Sequence, residues 1–309
     1  VSNKITDLNN NNGSIIDIWH PERGFMSHPI AIFTDSTCDI PEEWIKQYDI
    51  RVIPLTIIFG DEQYLDGVEL PAVAFYDRIL TDPTHPTTSQ PSPKAFLDAF
   101  KQAADEGAEQ AFVVVISSAM SGTIESVRRA AQESPIPVTI LDGKSNSMGL
   151  GWQVIAAARV RDGGGDIEAM EEAASEAQKG MNYYILLDTI EYLSKGGRIA
   201  DAIGLLNSIL KIKPMIYVNH ETGKVGASMP ARSRKVGTEN LYKEFFKHIN
   251  TRLPMHITVL HNNCLDEAQA LAERIRQEYN PKELIISIVS PVLGVHTGPR
   301  ALAICGYAG

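Results

Sequence analysis

The chain has 309 residues, 44% of them hydrophobic and 21% charged, and carries a formal net charge of -10. That length suits two domains of ordinary size, each able to bury a core, and the composition is that of a soluble globular protein. An acidic chain without a concentrated block of Lys and Arg is unsuited to nucleic acid, and no apolar segment approaches the roughly 18 to 20 uninterrupted residues of a membrane helix. The three cysteines, Cys38, Cys264 and Cys305, are widely spaced and form no C-x-x-C pair. Neither a disulfide framework nor a zinc knuckle is expected of them, and a reducing, cytoplasmic location is the expectation that follows.

Residues 1–28 read as an N-terminal extension, polar and turn-prone around Asn9-Asn10-Asn11-Asn12-Gly13-Ser14. From residue 30 strands and helices alternate, the order of a parallel sheet with helices on its faces. Strands are predicted over 30–33, 51–59, 112–116 and 138–141, with helices over 42–48, 71–80, 94–105, 124–131 and 147–160. Pro41 at a first helical position opens the first of these helices. The stretch 81–93, rich in Pro, Thr and Ser, is expected to be a long functional loop. Arg161-Asp162-Gly163-Gly164-Gly165 is the best boundary, because three successive glycines sit poorly inside an element. An α/β domain is therefore expected over 29–163 and a mixed α+β domain over 164–309. Strand candidates in the second domain fall at 185–187, 214–218, 224–229, 256–260, 284–289 and 301–305.

The apolar run Phe112-Val113-Val114-Val115-Ile116 leads through Ser117-Ser118-Ala119-Met120-Ser121-Gly122-Thr123 into helical spacing from Ile124. Such a turn gathers hydroxyls and free N–H groups at a helix N-terminus, where the dipole favours an anion. Ser and Thr are equally ordinary N-caps. Thr34-Asp35-Ser36-Thr37-Cys38-Asp39 ends the first strand, the position where open α/β sheets collect ligands. Asp35 and Asp39 are assigned to capping and turn formation rather than to a metal or an acid–base pair. No G-x-S-x-G elbow surrounds Ser121, so a serine-dependent acyl-ester or phosphoester hydrolase, with His296 as the base, stands as the alternative function. The chain shows neither H-E-x-x-H spacing, a Walker sequence nor G-x-G-x-x-G after a strand, and no metal or cofactor is expected. Glu191-Tyr192-Leu193-Ser194-Lys195-Gly196-Gly197-Arg198 reads as a helix stopped by glycines. Arg198, with Arg232 and Arg234, gives the acidic chain a positive patch suited to a phosphate or an acidic partner.

Taken in order, Thr34-Asp35-Ser36, Thr88-Ser89-Gln90-Pro91-Ser92, the run 117–123, Ser147-Met148-Gly149-Leu150-Gly151, the segment 192–199, Lys213-Pro214 and Gly294-Val295-His296-Thr297-Gly298-Pro299 resemble the DegV family from residue 30 to the C-terminus. The resemblance implies two α/β domains with a long-chain fatty acid between them. It implies a lipid-binding carrier rather than an enzyme, which presents the acid to a separate ATP-dependent bacterial fatty acid kinase in trans. Thr88, Ser121 and His296 would hold the carboxylate, with Ser89, Gly122 and Thr297 of the same motifs beside them. Arg198, Arg232 and Arg234 would serve the kinase interaction or phosphotransfer. A buried carboxylate needs several donors, which two hydroxyls, an imidazole and a helix N-terminus would supply. Met120 and Ile124 are expected as walls of the acyl site. Arg300 stands where many family members carry glycine, and is expected either to narrow the mouth or to point to solvent.

Overall fold

The computed structural model describes residues 28–198 and 212–309; residues 1–27, most of the expected extension, and Ile199 of the glycine turn lie outside them. The first strand, β1 (Ile30–Asp35), is buried along its whole length, as a Val/Ile/Phe-type run flanked by strands on both sides must be. It pairs in parallel with β2 (Ile50–Ile53) and β6 (Gln110–Val115), and β6 pairs in parallel with β7 (Val138–Asp142). The resulting order is β2-β1-β6-β7. Helices α1 (Glu42–Gln47), α3 (Pro93–Asp105) and α4 (Thr123–Ala131) fall in the gaps.

Two expectations require correction here. The single strand over 51–59 is two strands, because Pro54 cannot donate to a ladder and the pairing with β1 stops at Ile53. The remainder, β3 (Thr56–Phe59), turns away and pairs antiparallel with β4 (Glu62–Leu65) and with β5 (Thr87–Ser89). The expected long loop over 81–93 therefore contains a strand, whose register sets Thr88 opposite the fully buried Ile57. Helix α2 (Ala72–Thr81) bridges β4 and β5 in the chain and buries Phe75, Tyr76 and Ile79.

Helix α5 (Met148–Asp162) is buried on nearly every side, with Trp152 fully enclosed, because it touches β1 and β6 and also a second sheet. The glycines 163–165 make the turn from α5 into α6 (Ile167–Lys179), with Gly164 in the left-handed region and Asp166 accepting from Ala169 N as N-cap. The second sheet has the order β10-β9-β8-β13-β11-β12. Its strands are β8 (Asn182–Leu186), β9 (Met215–Val218), β10 (Val225–Ala227), β11 (Met255–His261), β12 (Glu283–Ile288) and β13 (Leu302–Ala308). Only β11 and β12 run parallel to each other; the remaining neighbours are antiparallel. The fold is thus α/β with a parallel sheet and a separate mixed sheet, as the pattern of elements implied.

Helices α8 (Arg234–His248) and α9 (Leu265–Tyr279) cover the outer face of the mixed sheet, packing Phe245 and Leu271 onto Leu302 and Ile304. The inner face looks toward the parallel sheet, and one core joins Ile32 and Phe112 of that sheet to Ile185 and Ala303 of the other. Two short helices, α7 (Glu191–Lys195) and α10 (Pro291–Thr297), pack against each other beside this junction. Among the described residues no helix is long and apolar enough to cross a membrane.

Candidate functional site

Strand β13 explains why the inner face is not filled. Its inward residues are Ala301, just before the strand, and Ala303, where the neighbouring strands offer Ile185 and Ile216. Two methyl groups in place of larger side chains leave a trough, because rigid strands cannot close over missing volume. The resulting cavity holds about 310 Å³, a ligand-sized space on the scale of roughly 300 to 1,000 Å³ usual for small-molecule sites. Ile185, Ile216, Val218 and Ala303 form one wall, and Leu55, Ile116, Val292 and Leu293 face them from the other elements.

The polar end of this cavity is assembled from three segments. Strand β5 brings Thr88, the turn before α4 brings Ser121, and the last turn of α10 brings His296 and Thr297; all four line the cavity. Thr88 Oγ1 and His296 Nε2 lie 3.0 Å apart in a hydrogen bond between residues 208 positions apart in the chain. Among the described residues His296 Nδ1 has no hydrogen-bond partner, and a Cβ on Gly196 would overlap that atom, so glycine is what admits the ring. Withdrawal from water, and then the positive charges of Arg198 and His85, bring the His296 imidazole down to about 4. It is therefore neutral at pH 7, ready to donate from one nitrogen and accept at the other.

The hydroxyl-rich turn divides its labour. Ser117 Oγ donates to Gly223 O at 2.7 Å, which fastens the β9–β10 hairpin turn to the end of β6. Ser118 reaches Asp142 through both its N–H and its hydroxyl. Ser121 Oγ shares a 2.8 Å hydrogen bond with Thr123 Oγ1 and faces the cavity. Gly122 is the N-cap of α4 and does not line the cavity; the Gln90 side chain lies against it, where a Cβ would overlap Gln90 Oε1. Ser89 is an exposed rim residue of the same cavity. Of the expected walls, Met120 is present. Ile124 is not: α4 turns it, together with Val127 and Ala130, into the core shared with Phe96 and Phe100 of α3.

The basic residues separate. Arg198 lines the cavity at its exposed rim and donates to Gly196 O at 2.8 Å, so it stands at the same mouth as His296. Arg232 and Arg234 do not line the cavity. Arg232 is exposed, while Arg234 Nε is paired with Glu267 Oε2 at 2.7 Å. Arg300 also goes to Glu267, with Nη2 2.9 Å from Oε1, and its side chain is 57% exposed rather than in the mouth. Its φ of 62° places it in the left-handed region, the backbone reason that glycine suits this position.

Asn262 carries no motif, yet it braces the polar end. It is 1% exposed, donates from Nδ2 to Thr297 Oγ1 at 2.8 Å and to Gly298 O at 2.6 Å, and lines the cavity. Its position just beyond the carboxyl end of β11 was the available signal. The aspartates of the first strand are structural. Asp35 accepts from Thr37 N and Ile116 N, and burial raises it above the usual carboxylate range. Asp39 accepts from Ser147 Oγ and from Ser290 N, and burial lifts it to about 7 against those hydrogen bonds. Asp66 accepts from Val292 N and is likewise lifted by burial to about 7. Asp39 and Asp66 fasten the start of α10, and so the roof of the cavity, to the N-terminal half of the chain. Among the described residues no group of three or more His, Cys, Asp or Glu side chains converges as a metal site.

The cavity between the parallel and the mixed sheet is thus lined by hydrocarbon along its length and edged at one end by hydroxyls, an imidazole and an arginine. Residues 29–308 match the family model described as "Uncharacterised protein, DegV family", and the chain belongs to that family. A DegV domain-containing protein of Clostridium perfringens is 32% identical over 281 residues, covering 89% of this chain and 96% of that protein. Two solved structures have the same fold. One, titled as fatty acid binding of a DegV family protein from Thermus thermophilus, aligns with a TM-score of 0.85 at 29% identity over 91% of this chain and 99% of its own. The other, DegV of Bacillus subtilis, titled a fatty acid binding protein, aligns with a TM-score of 0.83 at 28% identity over the same shares.

Proposed function

We propose that this chain binds a long-chain fatty acid in the cavity between its sheets and presents the carboxylate to a separate ATP-dependent kinase. The observation that carries this reading is the pairing of an apolar trough with the Thr88–His296 hydrogen bond at its end. Thr88, Ser121 and His296 hold the carboxylate, and Asn262 keeps Thr297 and the end of α10 in place. Each buried methylene of the acyl chain contributes about 0.8 kcal/mol, so affinity needs no covalent step. The fatty acids bound by the two solved relatives support the ligand class. Arg198, exposed at the mouth beside the head group, is the residue suited to steady a developing acyl phosphate, because a guanidinium matches phosphate oxygens in two-point geometry. Arg232 and Arg234 lie outside the cavity and belong to partner contact rather than to the acid.

A hydrolase has no observation in its favour. Ser121 Oγ is engaged with Thr123 and His296 Nε2 with Thr88, and among the described residues no carboxylate orients His296 Nδ1. Mass spectrometry of lipid extracted from natively purified protein tests the binding reading. A stoichiometric fatty acid is expected. Protein that emerges empty, and that binds no added hexadecanoic or octadecenoic acid, contradicts it. The kinase arm is tested with a purified fatty acid kinase and ATP: acyl phosphate should form with wild type and fall sharply with Arg198→Ala.

A further inference from the structure

The register of the mixed sheet measures how far each inner-face residue stands from His296. Ala301 belongs to the head-group end, because Asn262 bonds Thr297 and Gly298 through its side chain and Ala301 O through its own N–H. One row along the sheet, Ala303 stands opposite Ile185, and Ile185 opposite Ile216. In the next row Cys305 stands opposite Tyr183. The β8–β9 register continued by one residue brings Val218 beside Tyr183, and Val225 pairs with Val218. A strand rises about 3.4 Å per residue, so this row lies roughly 13 Å beyond Ala301.

Among the described residues that row is the last of the mixed sheet to line the cavity. Tyr183, Val218 and Val225 line it, whereas Cys305 is fully buried and outside it. Among the described residues Tyr183 is the one aromatic side chain in the cavity wall besides the His296 imidazole. The residue is 4% exposed and its ring is backed by α5, where a Cβ on Gly149 would lie 3.4 Å from Tyr183 Cδ1. In the same row Cys305 Sγ lies 3.5 Å from Met181 Sδ. These are a small and an adaptable side chain, which a longer ligand can displace if the ring is removed.

We propose that Tyr183 is the end-stop of the acyl site, the residue that sets the longest acid the cavity accepts. This rests on the fatty-acid reading above. A phenol ring has few rotamers and is held on one side by a helix, so it acts as a wall. The assay is competition binding of tetradecanoic, hexadecanoic and icosanoic acids to wild type and to variants whose folding is checked by thermal melting. Tyr183→Ala should raise the affinity for icosanoic relative to hexadecanoic acid by about tenfold for each two extra methylenes buried. Tyr183→Phe should keep the wild-type profile, because the wall is the ring and not its hydroxyl. Val218→Phe, which adds bulk on the same row, should shift preference toward tetradecanoic acid, and it carries the test if Tyr183→Ala does not fold. An unchanged length profile in a folded Tyr183→Ala or Val218→Phe protein overturns the end-stop. Wild-type protein that binds none of the three acids instead overturns the fatty-acid reading on which it rests.

Discussion

The two faces of the mixed sheet are made by the same strands and behave in opposite ways. On the outer face Leu186, Met215, Leu302 and Ile304 are fully buried against α8 and α9, with Leu241, Phe245 and Leu271 filling the space between. On the inner face, one residue along each strand, Ala301 and Ala303 leave a cavity beside Ile185 and Ile216. Strand pleating sends alternate residues to opposite faces, so in β13 Leu302 and Ile304 enter the packed core while Ala303 between them lines the cavity. The proposed site thus sets packed-core contacts on one face and ligand contacts on the other. Substitutions at neighbouring positions should therefore act on different observables.

Ile304→Ala gives the largest expected effect. Removing a fully buried side chain from the packed face should cost about 2–5 kcal/mol in denaturant unfolding, with the dissociation constant of the acid unchanged in the folded protein. Ala303→Phe should do the reverse. A ring in the trough displaces about four methylenes of ligand, a loss of about 3 kcal/mol or roughly 100-fold in affinity, while the melt shifts little because the ring enters existing space. If Ala303→Phe binds normally, or Ile304→Ala loses ligand without losing stability, the division between faces fails.

At the head-group end the effects are smaller and polar. His296→Ala should weaken binding by about 1.5–3 kcal/mol, the range for a hydrogen bond to a charged group, and Thr88→Val by about 0.5–1.5 kcal/mol. Calorimetric titration of hexadecanoic acid reads both, and neither change should exceed the loss caused by Ala303→Phe. The smallest effect concerns what keeps the inner face roofed. Asp39 and Asp66 have carboxyls raised from 3.8 to about 7 by burial. Each native acid holds its proton where the unfolded one has lost it, so its stabilisation is full below about pH 3.8 and is lost as the pH rises through about 7. The ligand-free protein should melt several degrees lower at about pH 8 than at about pH 5. Asp66→Asn, which can still accept from Val292 N, should flatten that dependence. A slope that rises with pH, or one unchanged by Asp66→Asn, contradicts this account of the roof.

The elements most legible in the sequence were those whose local chemistry and tertiary role agree. The buried strands β1 and β6 are β-branched and aromatic runs, α3 opens with Ser92 as N-cap and Pro93 in its first turn, and the capping role given to Asp35 is the one it plays. What escaped was imposed from a distance. Thr87-Thr88-Ser89 has no apolar pattern, and becomes a strand because β3 supplies its partners. Pro54 was overridden by the hydrophobicity of the residues around it, although a missing N–H ends a ladder whatever its neighbours are. Helical spacing placed Ile124 on an apolar face without saying which core that face meets. Within the site, the motif residues Thr88, Ser121, His296 and Thr297 converge on one cavity. Asn262 and Tyr183 gave no motif, since their places in the cavity wall come from the turn after β11 and from the β8–β13 register.

The central claim is that the trough holds an acyl chain with its carboxylate at Thr88, Ser121 and His296. Nuclear magnetic resonance of hexadecanoic acid, isotope-labelled at its carboxyl carbon and bound to the protein, tests it most directly. A single bound resonance is predicted, displaced from that of free acid and moved again in His296→Ala, with no movement in the outer-face variant Ile304→Ala. The absence of a bound resonance, or one that ignores His296→Ala, contradicts the account.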